Sequence, residues 1–491
     1  MNDHLEQLEP QPLWRHFRTL CNTPRPSGHE EALVSRLQTW ADEHQLFHDR
    51  DAFGNLRIRK PATPGHESAP GVILQGHVDM VAEANAGYDH DFTRDPIDTH
   101  VVDGWLRARQ TTLGADNGLG VAAALAILED ETLAHGPLEA LFTLQEETSM
   151  GGALALDENW LEGQVLLNLD SEDRGQVFIG CAGGADVVVE ADLPTRPVAD
   201  GESVMTLSVT SLRGGHSGID IHKGLGNANR LLVRALRRLR DYDVRLIDYR
   251  GGGLRNALPR EAFASVAIPT TEVDAASSVI DAVQAELRAE LQGIDDGVTL
   301  SLTPADLAAT EMEALTLTAC QHLVNALHAA PCGVERMSTD VPDVVETSNN
   351  LGVVSLANGR FRLCALVRSL RDSATNDMAD RFDALFALIG ANARVENAYP
   401  GWTPVPESPL VARFQRLHRN ALGSEAEAKV IHAGLECGIL GGKYPHLSML
   451  SFGPQIRGAH SPDERVELAS VTEFWMLLRA MVEDLATSDR D

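Results

Sequence analysis

The feature that most constrains this chain is a set of apolar runs that each close on a histidine or a carboxylate. They are GVILQGHVDM (His77, Asp79), TTLGADNG (Asp116), LEALFTLQEET (Glu146, Glu147), QVLLNLDSE (Asp170) and HLSMLSFGPQIRGAH (His460). In four of the five, a β-strand pattern stands directly before the polar residue. Open α/β sheets bind ligands beyond the carboxyl ends of their strands, so distant segments can meet in one crevice. Two histidines and three or more carboxylates, without cysteine, form a nitrogen and oxygen donor set. Such a set suits zinc or a similar divalent ion and is large enough for two.

The 491 residues exceed one compact core, so two domains or more are expected. The net charge of -30 argues against nucleic acid and anionic membrane surfaces, which call for cationic patches. It reads as a solubility feature. No apolar run reaches the 18 or so residues of a membrane span. The N-terminal MNDHLEQLEPQPLW lacks a basic and then apolar stretch, so no signal peptide is expected. The cysteines at 21, 181, 320, 332, 364 and 437 contain no CxxC and suit reduced thiols in a cytoplasm. Cys181 and Cys437 read as buried structural thiols rather than nucleophiles.

Residues 30–46 predict an amphipathic helix, and 53–59 and 71–76 predict strands. GLGVAAALAILED (118–130) is apolar nearly all round, a helix buried against a sheet. With strands at 138–145 and 164–169, the first 185 residues alternate helix and strand. That pattern predicts a parallel or mixed sheet with helices on both faces. Near 186 the pattern turns to period two, as in ADVVVEADLPT and VMTLSVTSLRGG, followed by a Leu- and Arg-rich helix at 227–242. AFASVAIPT, VIDAVQAELRAELQG and VTLSLTPAD then predict strand, helix and strand. A similar order recurs from about 314 to 398, which suggests two similar α+β units. After a linker at 397–409 come a helix at 410–421, a strand, a Gly-rich turn and a strand. His460 has to join ligands from residues 77–170. The reading is therefore an α/β catalytic domain in two parts, 1–186 and 400–491, interrupted by an inserted α+β domain at 187–399.

In an extended segment His77 and Asp79 point the same way, as a ligating imidazole and the carboxylate that orients it. An isolated H-x-D is as ordinary as any solvated pair; the other four segments favour the ligand reading. Adjacent Glu146 and Glu147 are costly to bury without a cation. One would ligate while the other acts as general base, and the spacing leaves open which. Asp116 reads as a helix N-cap or as a carboxylate bridging two ions. Asp170 and His460, taken singly, would pass for loop residues.

GHVDM, LGADNGLG, QEETSMGGA, NLDSE and GAHSPDE together resemble the co-catalytic zinc exopeptidases. Within that superfamily the bacterial aminoacyl-histidine dipeptidases are the most similar. PQPLWRHF, PRPSGHEE, GGHSGIDIHKGLGNANR, RNALPREA, LVRSLRDS and IHAGLECGIL extend the resemblance over nearly the whole chain. It implies one metal at His77, Asp116 and Asp170 and a second at Asp116, Glu147 and His460. It makes Glu146 the general base and Asp79 the partner of His77. It implies that the inserted domain is a lid whose His216 polarises the oxyanion. Asn256, Arg368, His432 and Glu436 would contact the substrate. The implied reaction is hydrolysis of dipeptides, Xaa-His first and β-alanyl-His as a further candidate. Two divalent ions, Zn2+ or else Co2+ or Mn2+, would be the cofactors, and the protein a homodimer. An N-acyl-amino-acid amidohydrolase with the same metals is the alternative. A non-catalytic binding relative would be expected to lack ligands or the base. A nucleotide-binding protein would need GxxxxGK[ST] or GxGxxG, which this chain does not have in strand-to-helix context.

Overall fold

A computed structural model describes residues 2–305 and 312–487. The chain divides into two compact units. The first comprises the chain up to Gly180, Pro404–Val430 and the chain from Leu435 on; the second comprises Cys181–Thr403 and Ile431–Gly434. The expected limits of 187 and 399 thus lie a few residues inside the second unit. The short 431–434 stretch joins it although it is remote in sequence.

The first unit is built on an eight-stranded mixed sheet. Its order is Phe47–Arg50, Leu56–Lys60, Leu138–Thr143, Val72–His77, Val165–Asn168, Ser448–Ser451, Gln176–Cys181 and Glu427–Ile431. The four central strands, from Leu138–Thr143 to Ser448–Ser451, run parallel. Three of them, VILQGH, LEALFT and VLLN, are buried along their whole length, as expected of strands covered on both faces. Side-chain alternation fixes what covers each face. A Cβ at Gly76 would meet Asn117 and Val121, so the buried helix Ala115–Glu129 lies on that side. Gln75 points the other way and reaches Glu436, at the start of helix Glu436–Lys443. The result is a set of parallel strands with helices on both faces, as the alternating pattern predicts. The segment Glu436–Lys443, expected as a Gly-rich turn, is helical because Cys437, Ile439 and Leu440 are buried together. A smaller four-stranded sheet, Ile456–Arg457, Arg465–Glu467, Trp105–Ala108 and Thr99–Val102, flanks His460 in sequence.

The two expected α+β halves of the second unit share one nine-stranded antiparallel sheet, and a separate two-stranded sheet pairs Thr195–Pro197 with Glu313–Leu315. The order of the larger sheet is Thr299–Pro304, Glu202–Thr210, Ala262–Pro269, Arg245–Gly251, Val345–Ala357, Arg360–Ser369, Gly183–Asp192 and Asn392–Tyr399, with Gly333–Met337 paired to Val345–Ala357. The seam between the two expected halves is the pairing Tyr249↔Leu356, Arg250↔Ser355 and Gly251↔Val354. Strand Arg245–Gly251 is not among the expected strands, because the charges of RLIDYRG, at 245, 248 and 250, break a period of two and the segment runs into a glycine turn. Strand Gly183–Asp192 pairs with Arg360–Ser369 and Asn392–Tyr399, on the far side of the sheet from Glu202–Thr210. Helices Ala228–Arg238, Val273–Glu290, Leu317–Ala329 and Asp372–Ala387 share a single hydrophobic core with these strands. Asp306, the last residue of the predicted strand VTLSLTPAD, lies outside the described residues. Among the described residues no helix is long and apolar enough to cross a membrane.

Helix Ala115–Glu129 packs closely on the loop before Asp170 at Gly120. A Cβ there would stand 2.4 Å from Asn117 Oδ1 and 2.5 Å from the Leu169 carbonyl oxygen. The backbone of the loop before Asp170 cannot yield as a flexible side chain does. Gly120→Ala should therefore destabilise the protein by about 1–3 kcal/mol, the usual range for overpacking. A lower thermal unfolding midpoint measures it; an unchanged midpoint would show that this helix can shift freely.

Candidate metal centre

The four central strands deliver their carboxyl ends to one edge of the sheet. His77 is the last residue of its strand. Glu146 and Glu147 open a short helix, Glu146–Ser149, just past strand Leu138–Thr143. Asp170 lies two residues beyond Val165–Asn168. His460 comes after Ser448–Ser451 at more distance, in a turn where its own φ is 63°. Asp116 comes from the start of helix Ala115–Glu129. The cap there is Gly114, at φ 69°, with no side-chain cap bond, so Asp116 is not the N-cap. Its backbone is non-helical, and the peptide to Asn117 is cis.

Asp116 divides its two oxygens between the two histidines. Oδ1 lies 3.0 Å from His77 Nε2, and Oδ2 lies 3.3 Å from His460 Nε2. Asp170 Oδ1 is 3.4 Å from His77 Nε2, and Glu147 Oε2 is 2.9 Å from His460 Nε2. Ligand atoms of His77, Asp116 and Asp170 lie within 4.8 Å of one another, as do those of Asp116, Glu147 and His460. His77, Glu146 and Glu147 form a third such group, so Glu146 also faces this cluster.

Asp79 is buried and supports two parts of the cluster. Its Oδ1 is 3.4 Å from His77 Nδ1, which also has the Asp79 carbonyl at 3.2 Å. The same carboxylate accepts the N–H groups of Glu146 and Glu147 at 3.1 and 3.2 Å and the Ser27 hydroxyl at 2.7 Å.

The electrostatics call for positive charge. Burial works against a charged His77, yet Asp170, Asp116 and Asp79 together raise its pKa well above the usual value. Hydrogen bonds to Asp116 and Glu147 push His460 up to about 11. Burial, reinforced by Asp116, pushes Asp170 up to about 8. Burial also raises Glu146 well above the carboxylate range, with Asp170, Glu436 and Glu147 adding to it. Burial opposes ionisation of Asp116, but the two imidazoles outweigh it and lower its pKa. Glu147 Oε1 and Asp170 Oδ1 are buried without a hydrogen bond. Crowded carboxylates with unspent oxygens, backed by imidazole nitrogens, fit divalent cations of the zinc type.

Glu436, the first residue of helix Glu436–Lys443, bonds to the sheet beneath this cluster, accepting from Gln75 Nε2 at 2.6 Å and Thr143 Oγ1 at 2.7 Å. Burial lifts its pKa to about 7. Asn168 Nδ2 donates to Gln75 Oε1 at 2.5 Å, Ser451 Oγ donates to Asn168 Oδ1, and Ser171 and Ser451 share a bond of 2.6 Å.

The remaining expected residues belong to the second unit. His216 is half-buried, and its Nδ1 accepts the N–H groups of Gly218 and Ile219 at 3.2 and 3.1 Å. The ring proton is therefore on Nε2. Burial, with Arg368, lowers the His216 pKa to about 4, so the ring is a neutral donor. Asn256 is exposed, and its carbonyl accepts from Ser217 N–H at 2.8 Å. His432 Nε2 is 2.7 Å from Ser348 Oγ, and burial with Arg368 lowers its pKa to about 3. The buried Arg368 donates to Tyr399 Oη at 2.8 Å. Cys181 and Cys437 are both buried.

The sequence reading does not single out Arg25, Gln75, Thr143, Asn168 or Glu464, all buried polar residues around the cluster. Arg25 lies in PRPSGHEE, which enters through its resemblance alone, and Glu464 lies in GAHSPDE, where His460 is the residue that stands out. The signal is a charged residue in an otherwise turn-like motif.

The sequence profile of peptidase family M20/M25/M40 matches residues 73–484. The cytosol non-specific dipeptidase of Escherichia coli (strain K12) is 44% identical over 482 residues, 98% of this chain and 99% of that protein. The crystal structure of aminoacylhistidine dipeptidase from Vibrio alginolyticus superposes with a TM-score of 0.89 at 42% identity, covering 98% of both chains. The aminopeptidase PepT from Bacillus cereus shares the fold, with a TM-score of 0.56 at 16% identity over 98% of this chain and 100% of that one. With the profile spanning most of the chain and full-length identity to the E. coli protein, this chain belongs to peptidase family M20/M25/M40 and is a hydrolase of peptide bonds.

Proposed function

We infer that this protein is a metal-dependent dipeptidase using two divalent ions, with zinc the first candidate. His77, Asp116 and Asp170 would hold one ion, and Asp116, Glu147 and His460 the other. The observation that carries this reading is the division of Asp116 between two imidazoles, one per triad. Such ions, when bound, lower the pKa of a water toward neutrality and polarise the scissile carbonyl. Asp79 keeps His77 oriented through Nδ1 and fixes the turn that starts at Glu146. Glu146 takes the proton of the attacking water and returns it to the leaving amine. Glu147, engaged with His460, is the poorer candidate for that task. His216 offers its Nε2–H to the developing oxyanion. Asn256, Arg368, His432 and Glu436 take part in binding the dipeptide, and the second unit acts as a lid. The substrate class is Xaa-His dipeptides, in keeping with the name of the Vibrio alginolyticus relative, with β-alanyl-His a further candidate; the name of the E. coli relative supports dipeptides in general. The protein works in the cytoplasm as a homodimer.

Glu146→Ala should keep its metal and lose about 10²–10⁴-fold in kcat, the usual scale for a general base. Glu147→Ala should instead lose one equivalent of metal. Metal analysis beside steady-state kinetics separates the two, and an E146A protein with near-normal kcat would overturn the base assignment.

His216→Ala should lower kcat by about 10²–10³-fold with little change in KM, as loss of an oxyanion donor does. An effect confined to KM would move His216 to a binding role.

A panel of Xaa-His, other dipeptides and N-acetyl amino acids decides the substrate class. Dipeptides should turn over and N-acetyl amino acids should not; the reverse order favours the amidohydrolase reading. Chelation should abolish turnover and added Zn2+ should restore it.

A further inference from the structure

We propose that Arg25 and Glu464 are positioning residues that clamp the Asp116 loop from both sides and so set the geometry of both metal triads. The proposal rests on the two-ion reading and adds residues that touch neither metal nor substrate.

Glu464 spends its whole acceptor capacity on one stretch of backbone. Its Oε2 accepts from Leu113 N–H at 2.7 Å and Gly114 N–H at 2.9 Å. Its Oε1 accepts from Ala115 N–H at 2.8 Å and Asp116 N–H at 3.3 Å. Four consecutive N–H groups thus turn toward one point, the arrangement in which backbone nests bind anions. Here the anion is a side chain four residues beyond His460. Leu113 and Ala115 are fully buried, so without Glu464 their N–H groups would lack any partner.

Arg25 holds the other side. Its Nη2 donates to the Gly114 carbonyl at 2.5 Å, and its Nη1 donates to the carbonyls of Val78 and Asp79 at 2.9 and 3.0 Å. The planar guanidinium therefore ties the strand end carrying His77 and Asp79 to the loop carrying Asp116. The backbone leaves room for it. A Cβ on Gly114, whose φ is 69°, would stand 2.5 Å from Nη2, and one on Gly118 would stand 2.6 Å from it. Both groups are buried. The Gly114 residue is gripped at both ends: its N–H by Glu464, its carbonyl by Arg25. Three ligand segments, 77–79, 113–116 and 460–464, are held in one register by two side chains.

The plainer alternative is that the pair only stabilises a buried loop. The buried pair Arg57–Glu139 serves as the control: Glu139 accepts from Glu162 N–H at 2.9 Å and lies 3.4 Å from Arg57, and neither bond reaches a residue of the cluster.

The test is titration of the metal-free full chain with Co2+, tracked by equilibrium dialysis and by the visible absorption band. Glu464→Gln keeps size and shape but faces two backbone donors with an amide NH2. Arg25→Lys keeps the charge but loses the fork. Each should weaken cobalt binding about 10–100-fold, the range for removal of a partner behind a metal ligand, and should shift the band. Glu139→Gln should lower the unfolding temperature and leave both readouts within about twofold of wild type, since it stands behind no ligand. Unchanged affinity and band in a folded Glu464→Gln or Arg25→Lys protein would overturn the proposal. If those variants do not fold, Glu464→Asp decides in the same way, since it keeps the charge and shortens the reach. A wild type that takes one ion sinks the two-ion reading alone. The clamp is then judged on that ion, because Asp116 belongs to both triads.

Discussion

One carboxylate shared between two imidazoles organises the first unit. Asp116 meets His77 through one oxygen and His460 through the other, although His460 is hundreds of residues away in the chain. An oxygen pair can serve two partners only if its backbone is fixed from outside, because a free aspartate rotamer would favour one side. The surrounding structure supplies that fixation. Gly114 gives the turn a left-handed residue, the buried helix that starts at Ala115 anchors the chain on its far side, and Glu464 holds the amides of residues 113–116.

The sheet beneath meets a different demand. Parallel strands buried on both faces are normally apolar throughout, yet Gln75, Thr143, Asn168 and Ser451 sit on four neighbouring strands and are all buried. Buried polar groups are costly unless they are bonded. Here each finds the next: Glu436 to Thr143 and Gln75, Gln75 to Asn168, Asn168 to Ser451, and Ser451 to Ser171. The chain of bonds runs across the strands just before they release His77, Glu146 and Asp170. It ties the spacing of those strand ends to side chains as well as to the backbone ladder.

How much of this is legible in the sequence depends on the range of the interaction. A strand that ends in HVD or NLD announces itself through local period and composition, and the alternation of helix and strand announces a sheet covered on both faces. Four of the five candidate segments can be named because each carries its own apolar run, and Asp116 because it opens an apolar helix. Glu464 cannot, because its partners are backbone amides some 350 positions earlier and nothing local marks a glutamate as a cap for a remote turn. Arg25 looks like any loop arginine for the same reason. In the second unit, the strands from 183 to 399 read as two recurring sets because element order is local. Their union in one sheet rests on the pairing of Arg245–Gly251 with Val345–Ala357, about a hundred residues apart. Helix Glu436–Lys443 is hidden by its glycines, whose low helical propensity is overridden by burial of Cys437, Ile439 and Leu440.

Asp79 and Glu464 turn out to be the same device used twice. Asp79 gives one oxygen to His77 Nδ1 and Glu146 N–H and the other to Ser27 and Glu147 N–H. Glu464 gives each oxygen to two amides of the loop before and at Asp116. In both cases a buried carboxylate from one segment caps the first turn of another, and that turn carries a residue of the cluster. A carboxylate has about four acceptor positions, and both side chains use all of them. This makes each turn rigid in translation and in twist, since two oxygens fix a plane where one would leave a pivot. The consequence is a division of labour among acidic residues of one cluster. Those whose oxygens are spent on backbone amides hold shape. Glu147 and Asp170, and Glu436 below them, each keep a buried oxygen unbonded.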